Sequence, residues 1–327
     1  MRALVIVGML LLVLCLVATT IGGTGALWEL EGSVQGRPLW SLIAWQVRVP
    51  RVITAALIGA ALGGAGAALQ GLFRNPLADP SVLGVSASAA LFAQVTIFAG
   101  WAALVPLVLP VAASCGALLA TFVLLRIVRA ARGAGLELLI LGGVALGQIA
   151  VAMSALLMSV ALRDFTLAQK LLSWMLGSLD GRTWMHVLWG LGPIFGALAW
   201  LVFRARDLDG LSLGDATAHS LGLDVARVRR EVVIAAAILS GVAVALGGVI
   251  SFVGLIVPHL VRRLIGPTHR RLILGSGVVG ALLVVLCDLL SRLIIAPSEL
   301  QIGIITAAMG APWFAVLLRR RWHEAAS

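Results

Sequence analysis

Fourteen carboxylates, five histidines, three cysteines and one lysine are the groups in this 327-residue chain that could carry bond chemistry or hold a metal. Their spacing assembles no catalytic set. Lys170, in a stretch that reads as an external loop, stands outside any Gly-x-x-x-x-Gly-Lys run. A phosphate-cradling loop needs that lysine to reach the phosphates, so the chain carries no ATP site of that type. No His-Glu-x-x-His, Cys-x-x-Cys or Gly-x-Ser-x-Gly occurs. Cys15, Cys115 and Cys287 each sit inside an apolar run and read as helix-packing or lipid-facing residues. His259, after Pro258 in a glycine-interrupted apolar region, reads as structural, with a place facing a pathway as the alternative. Asp288 and Arg292 are four residues apart and share a helical face. A carboxylate inside an apolar run is costly unless paired, so the first reading is a self-neutralised pair facing protein. The second is an Arg292 near one helix end, available to a partner. A proton-coupled carrier would need more buried carboxylates than Asp288, with Glu137 near the start of another run.

The elements that hold these residues are set by composition. The chain is 61% hydrophobic and 12% charged, with mean hydropathy +1.09. Soluble domains lie near half apolar and about a quarter charged, so the surrounding solvent is lipid. The net charge of +10 does not point to nucleic acid. Most of the basic residues, all arginine except Lys170, fall in short clusters at the ends of apolar runs, where they mark topology. A soluble interaction module is excluded by the same composition.

A helix needs about 20 apolar residues to span a bilayer. Stretches 3–21, 52–73, 81–99, 102–125, 138–162, 184–203, 272–296 and 302–318 meet or approach that length. The first is read as a membrane helix, not a cleaved leader, because no small-x-small site follows it. Region 232–261 is flanked by arginines on both sides, at 227–230 and 262–263. By the positive-inside rule both ends are cytoplasmic. It must therefore cross and return as one full helix plus a shorter one, broken at Gly247-Gly248, Gly254 or Pro258. Irregular backbone at that depth is tolerated only against protein or a water-filled path. The expectation is an all-α membrane protein of ten transmembrane helices with both termini cytoplasmic. The chain reads as one membrane domain over 1–327, with a long polar loop at about 204–231. Trp28, Trp40, Trp45, Trp101, Trp184, Trp313 and Trp322 fall near the expected interfaces. Gly59-x-x-x-Gly63 and the small residues after it read as close helix packing. Within the polar loop, residues 212–222 read as a short amphipathic helix. Ser212 or Asp215 could cap its start and Gly222 could end it.

Several long motifs then stand in register. They are Arg48-Val-Pro-Arg51-Val, Gly59 to Gln70, Asn75-Pro-Leu-Ala-Asp79-Pro-Ser-Val-Leu-Gly84, Ser251 to Arg263, and Glu299-Leu-Gln-Ile-Gly303 through Gly310-Ala-Pro312. From about residue 40 to the end, the chain closely resembles the FecCD-type permease family, the membrane subunits that import ferric siderophores, haem and vitamin B12. Gln301 departs from it, since family members often carry Pro there. The resemblance implies a type II ABC importer permease fold of ten helices, in the cell inner membrane. It implies a second permease copy, two ATPase subunits that bind ATP and Mg, and a periplasmic substrate-binding protein; no cofactor is expected in this chain itself. It further implies that Leu213, Gly214, Asp215, Ala218, Leu221 and Gly222 form the helix that couples to the ATPase. Arg48, Arg51 and Arg292 match external arginines that receive acidic residues of the binding protein. Gly133, Gly135 and Glu137 match a cytoplasmic gate, although this sequence has no Ser or Thr there. An iron chelate is the first expected cargo and a corrinoid the alternative. A secondary transporter and an intramembrane enzyme are the rival classes; neither has its ionisable or catalytic constellation in the spans.

Overall fold

The computed structural model of the chain describes residues 2–23, 25–29, 32–34, 37–105, 107–130 and 136–326. Among the described residues the structure is helical apart from turns and two hairpins of two-residue strands. Helix α1 (Arg2–Thr20) leads through the hairpins to α2 (Leu39–Ile43), a π-turn at Ala44–Arg48 and α3 (Val49–Leu72). Helices α4 (Val85–Phe98), α5 (Val108–Ala130), α6 (Leu136–Ala161), α7 (Phe165–Met175) and α8 (Trp184–Phe203) follow. Two short helices, α9 (Ala205–Ser212) and α10 (Asp215–Ser220), precede α11 (Val225–Gly247), α12 (Val253–Ile265), α13 (His269–Leu293) and α14 (Ile302–Ala326).

Six helices among the described residues are long and apolar enough to cross a membrane: Leu39–Leu72, Val108–Ala130, Glu137–Ala161, Trp184–Phe203, Val225–Gly247 and His269–Leu293. Leu4–Thr20, Val85–Phe98 and Ile302–Ala315 are shorter apolar helices. The expected 102–125 span lies further along, at Val108–Ala130, with a 3-10 turn at Trp101–Ala103 before it. An apolar turn and an apolar helix look alike in hydropathy, which is why the sequence places that boundary early. The stretch around Lys170, expected as loop, is helix α7. Asp164 caps it, accepting from the amides of Thr166 and Leu167 at 2.9 and 3.2 Å.

The centre of the bundle is α3, buried along most of its length. Small residues make that possible, because they let neighbouring backbones approach. A Cβ on Gly59 would overlap the carbonyl of Gly280 in α13, one on Gly63 that of Ser276, and one on Gly66 that of Gly254 in α12. Residues of α3, α11 and α13 dominate the buried core.

Region 232–261 divides as expected into a full helix and a shorter one. The break falls between Gly247 and Val253, with Gly248 at φ +73° and Phe252 at φ +67°. Gly254 and Pro258 lie inside α12. Pro258 has no amide hydrogen, so the carbonyl four residues back, on Gly254, loses its helical donor. Gln70 of α3 answers this from outside. Its buried side-chain amide donates to the carbonyl of Leu255 at 3.0 Å and reaches that of Gly254 at 3.4 Å.

Candidate functional site

Both ends of the α3–α13 pair carry charged residues. At the end marked by the α3 N-terminus, Arg51 sits in the first turn of the helix. Its Nε donates to Asp288 Oδ1 at 2.8 Å, and its two terminal nitrogens donate to both oxygens of Glu299 at 2.9 and 2.8 Å. A planar guanidinium is suited to this forked geometry. Asp288, fully buried, also faces Arg292 at 3.1 Å. The four groups balance in charge, as buried ions must. The pairing of Asp288 with Arg292 is thus as expected from their spacing, enlarged by Arg51 from a distant part of the chain and by Glu299 from the segment just after α13.

Arg292 also donates to the carbonyls of Ala18 and Ile21, at 3.0 and 3.3 Å. Arg48 donates to those of Thr20 and Gly25, at 2.7 and 2.8 Å. Both cations therefore cover the C-terminal end of α1, where unsatisfied carbonyls and the helix dipole favour positive charge. In consequence Arg48, Arg51 and Arg292 are only 4%, 7% and 3% exposed. Bonds within the chain draw all three side chains in. Arg51 is reached instead through a polar cavity of about 390 Å³ that it lines with Ser173, Asp180, Ser291, Glu299 and Gln301.

Around this cavity three interrupted helices meet. The carbonyls of Leu176 and Gly177, just past α7, accept the amides of Gly303 and Ile302 at the start of α14, at 3.0 and 3.1 Å. Ser178 donates its amide to the carbonyl of Gly247, the last residue of α11, at 3.0 Å. Free helix ends thus satisfy one another, as buried backbone requires.

At the opposite end lies α9–α10. Helix α9 is anchored by buried Ala205, Leu208 and Leu211. Ser212 does not cap the next helix; it ends α9, and its hydroxyl donates to the carbonyl of Asp209 at 2.6 Å. Gly214, at φ +106°, turns the chain into α10. Asp215 is the first residue of α10 and not its cap. It is held between Arg74 at 3.2 Å and Arg229, so the negative charge lies at the helix N-terminus where the dipole favours it. Gly222, at φ +80°, closes the helix as expected: its amide donates to His219 and that of Leu223 to Ala218, at 2.9 and 3.1 Å. Ala218 faces the protein and is buried, while Leu213 and Leu221 project, 64% and 62% exposed. The six residues are thus brought together as one knuckle with a leucine on each flank.

Arg204 ties the knuckle to the bundle, with Asp207 at 2.9 Å and Glu231 at 2.6 Å. Asp209 holds the start of α13 through His269, its Oδ1 lying 2.6 Å from the ring Nδ1. Of the expected gate residues, Gly133 and Gly135 lie outside the described residues. Glu137 is exposed in the first turn of α6. Sequence reasoning missed Gln70, Asp209, His269 and Glu299 as structural partners. Only a helix proline with a missing donor could have pointed to Gln70. Groups of His, Cys, Asp and Glu able to hold a metal are absent among the described residues.

Comparison with known proteins agrees with this architecture. A model of the FecCD transport family matches residues 4–320. The vitamin B12 import system permease protein BtuC of Vibrio cholerae is 40% identical over 278 residues, which cover 85% of this chain and 83% of that one. The hemin transport system permease protein HmuU of Yersinia pestis is 36% identical, covering 97% of this chain and 96% of its own length. A solved inward-facing structure of a metal-chelate-type ABC transporter superposes with TM-score 0.86 at 29% identity, covering 98% of this chain and 99% of that one.

Proposed function

The chain belongs to the FecCD transport family, and on that footing we propose that it is the membrane-spanning subunit of an ABC importer carrying a bulky metal chelate: a ferric siderophore or haem first, a corrinoid as the alternative. The observation that carries this reading is the knuckle of α10, rigidly tied to the bundle yet presenting Leu213 and Leu221 to solvent. It suits a cleft in a second protein. The similarity to both a vitamin B12 permease and a hemin permease supports the cargo class and does not choose within it.

Ten crossings follow if the three shorter apolar helices and α12 are added to the six long ones. The arginine-rich ends, including Arg74, Arg204, Arg229 and Arg262, then lie in the cytoplasm of the inner membrane, with both termini on that side. Two copies enclose the path, two ATPase subunits bind ATP and Mg below, and a periplasmic binding protein docks above. In that docking Arg48, Arg51 and Arg292 hold the outer surface in shape. Arg51 and Glu299, reached through the polar cavity, exchange partners with the incoming protein. The chain makes and breaks no bond. It alternates exposure of the cargo, biased by ATP-dependent contacts at α10. Residues 133–137 serve as the cytoplasmic gate.

The test is uptake into proteoliposomes holding the chain with its ATPase subunits and binding protein. Labelled ferric hydroxamate, hemin and cyanocobalamin are offered side by side. ATP-dependent uptake of one of them supports the reading. Uptake that persists without ATP, driven by an ion gradient, would sink it.

A further inference from the structure

His269 touches three elements at once. It opens α13, is 3% exposed, and places its ring Nδ1 2.6 Å from Asp209 Oδ1 on α9. A carboxylate only accepts, so Nδ1 carries the hydrogen. The backbone amide of His269 donates to the same oxygen at 3.0 Å. Thr268, at the N-cap position of α13, makes no side-chain capping bond. Asp209 therefore supplies from another helix the negative charge and acceptor that a helix start calls for. On its far side the ring lies against the end of α3, where a Cβ on Gly71 would overlap Nε2.

From this junction we infer that His269 is a positioning residue that makes the α9–α10 segment move as one body with α3 and α13. The inference rests on the importer reading above. Chain continuity links the segment only to α8 before it and α11 after it. Its ties to the central pair are non-covalent: the packing of α9 against both helices, and two polar bonds, Asp209 to His269 and Asp215 to Arg74 just beyond α3. Beyond the junction, α3 and α13 are in backbone contact at Gly59–Gly280 and Gly63–Ser276, so the pair has no slack to absorb a displacement. A push received at Leu213 and Leu221 then arrives about 30 Å away, near Arg51 and Asp288, through two continuous helices.

The experiment uses the full complex in proteoliposomes and whichever of ferric hydroxamate, hemin or cyanocobalamin the wild-type chain takes up. Three quantities are read: ATPase subunits retained, basal ATP hydrolysis, and cargo moved per ATP. His269→Ala and Asp209→Ala are expected to keep assembly and hydrolysis within about twofold while cargo per ATP falls about tenfold or more, the scale of a coupling free energy between sites. Asp209→Asn, which keeps an acceptor oxygen, retains most of the ratio. Gly71→Ala, which pushes on the ring, resembles His269→Ala. An unchanged ratio in both alanine variants would overturn the inference. So would a loss of uptake that only tracks lost assembly, because that is what a purely structural contact gives. Absence of any ATPase subunit on the wild-type chain would overturn the importer reading and this inference with it.

Discussion

Gly59 of α3 and Gly280 of α13 meet backbone to backbone, and a Cβ built on either would overlap the carbonyl oxygen of the other. Gly59→Ala should therefore destabilise the protein by about 1–3 kcal/mol, the cost of overpacking a tight core. Gly196 in α8 is a matched control, since nothing lies within 4 Å of its Cβ position. Gly196→Ala should be neutral, or stabilising by up to about 1 kcal/mol from helix propensity. Thermal unfolding of the detergent-solubilised variants reads both. Equal midpoints for the two would mean that α3 and α13 stand further apart.

Gln70 reaches the Gly254 carbonyl that Pro258 leaves short and donates to the neighbouring carbonyl of Leu255, and its side chain is buried. Gln70→Leu keeps the volume roughly and removes the donor, so it should cost about 1–3 kcal/mol. Pro258→Ala restores an amide that can reach the carbonyl of Gly254. In that background the cost of Gln70→Leu should shrink by about 1 kcal/mol. A double-mutant cycle on thermal stability measures the coupling, and strict additivity would show that the two residues act independently.

Much of this architecture was legible because it is local. The break in 232–261 follows from basic flanks and Gly248, and the end of α10 from Gly222. The Asp288–Arg292 pair follows from four-residue spacing. What escaped was non-local. Arg51 and Asp288 are 237 residues apart, and nothing along either helix says that they meet. The same holds for the bonds of Arg48 and Arg292 to backbone carbonyls at and just past the end of α1, which have no side-chain signature. Ser212 misled as a cap because a serine before a short helix reads the same whether it opens that helix or closes the one before. Lys170 misled because a polar stretch between spans looks like a loop, although Asp164 caps a helix there.

The charge balance around Asp288 sets a third expectation. Arg51→Met removes one of two guanidinium groups facing Asp288 and both bonds to Glu299. Breaking a buried pair by removing one partner costs about 3–5 kcal/mol. Arg51→Met/Glu299→Gln removes one carboxylate as well, leaving Asp288 with Arg292. The double variant should be more stable than Arg51→Met alone. Chemical denaturation or thermal unfolding in detergent decides it; a double variant less stable than the single would show that Glu299 has a stabilising contact besides Arg51.

At the knuckle of α10 the exposed side chains and the buried one belong to different residues, which makes the fourth expectation clean. Leu213 and Leu221 are mostly exposed, whereas Ala218 between them is buried. Substituting exposed residues changes stability little, within about 0.5 kcal/mol. Large apolar side chains that fill a partner's pocket often contribute about 1–2 kcal/mol or more each to association. Leu213→Ser/Leu221→Ser should thus unfold at the wild-type temperature in detergent and yet lose affinity for the ATPase subunit by about tenfold or more, since every 1.4 kcal/mol is a factor of ten. Ala218→Leu should do the reverse first, lowering the unfolding temperature because its Cβ already faces packed protein. Affinity is read by titrating the solubilised chain with the purified ATPase. Should the serine pair bind the ATPase as tightly as wild type, α10 is not the surface through which ATP-driven motion enters.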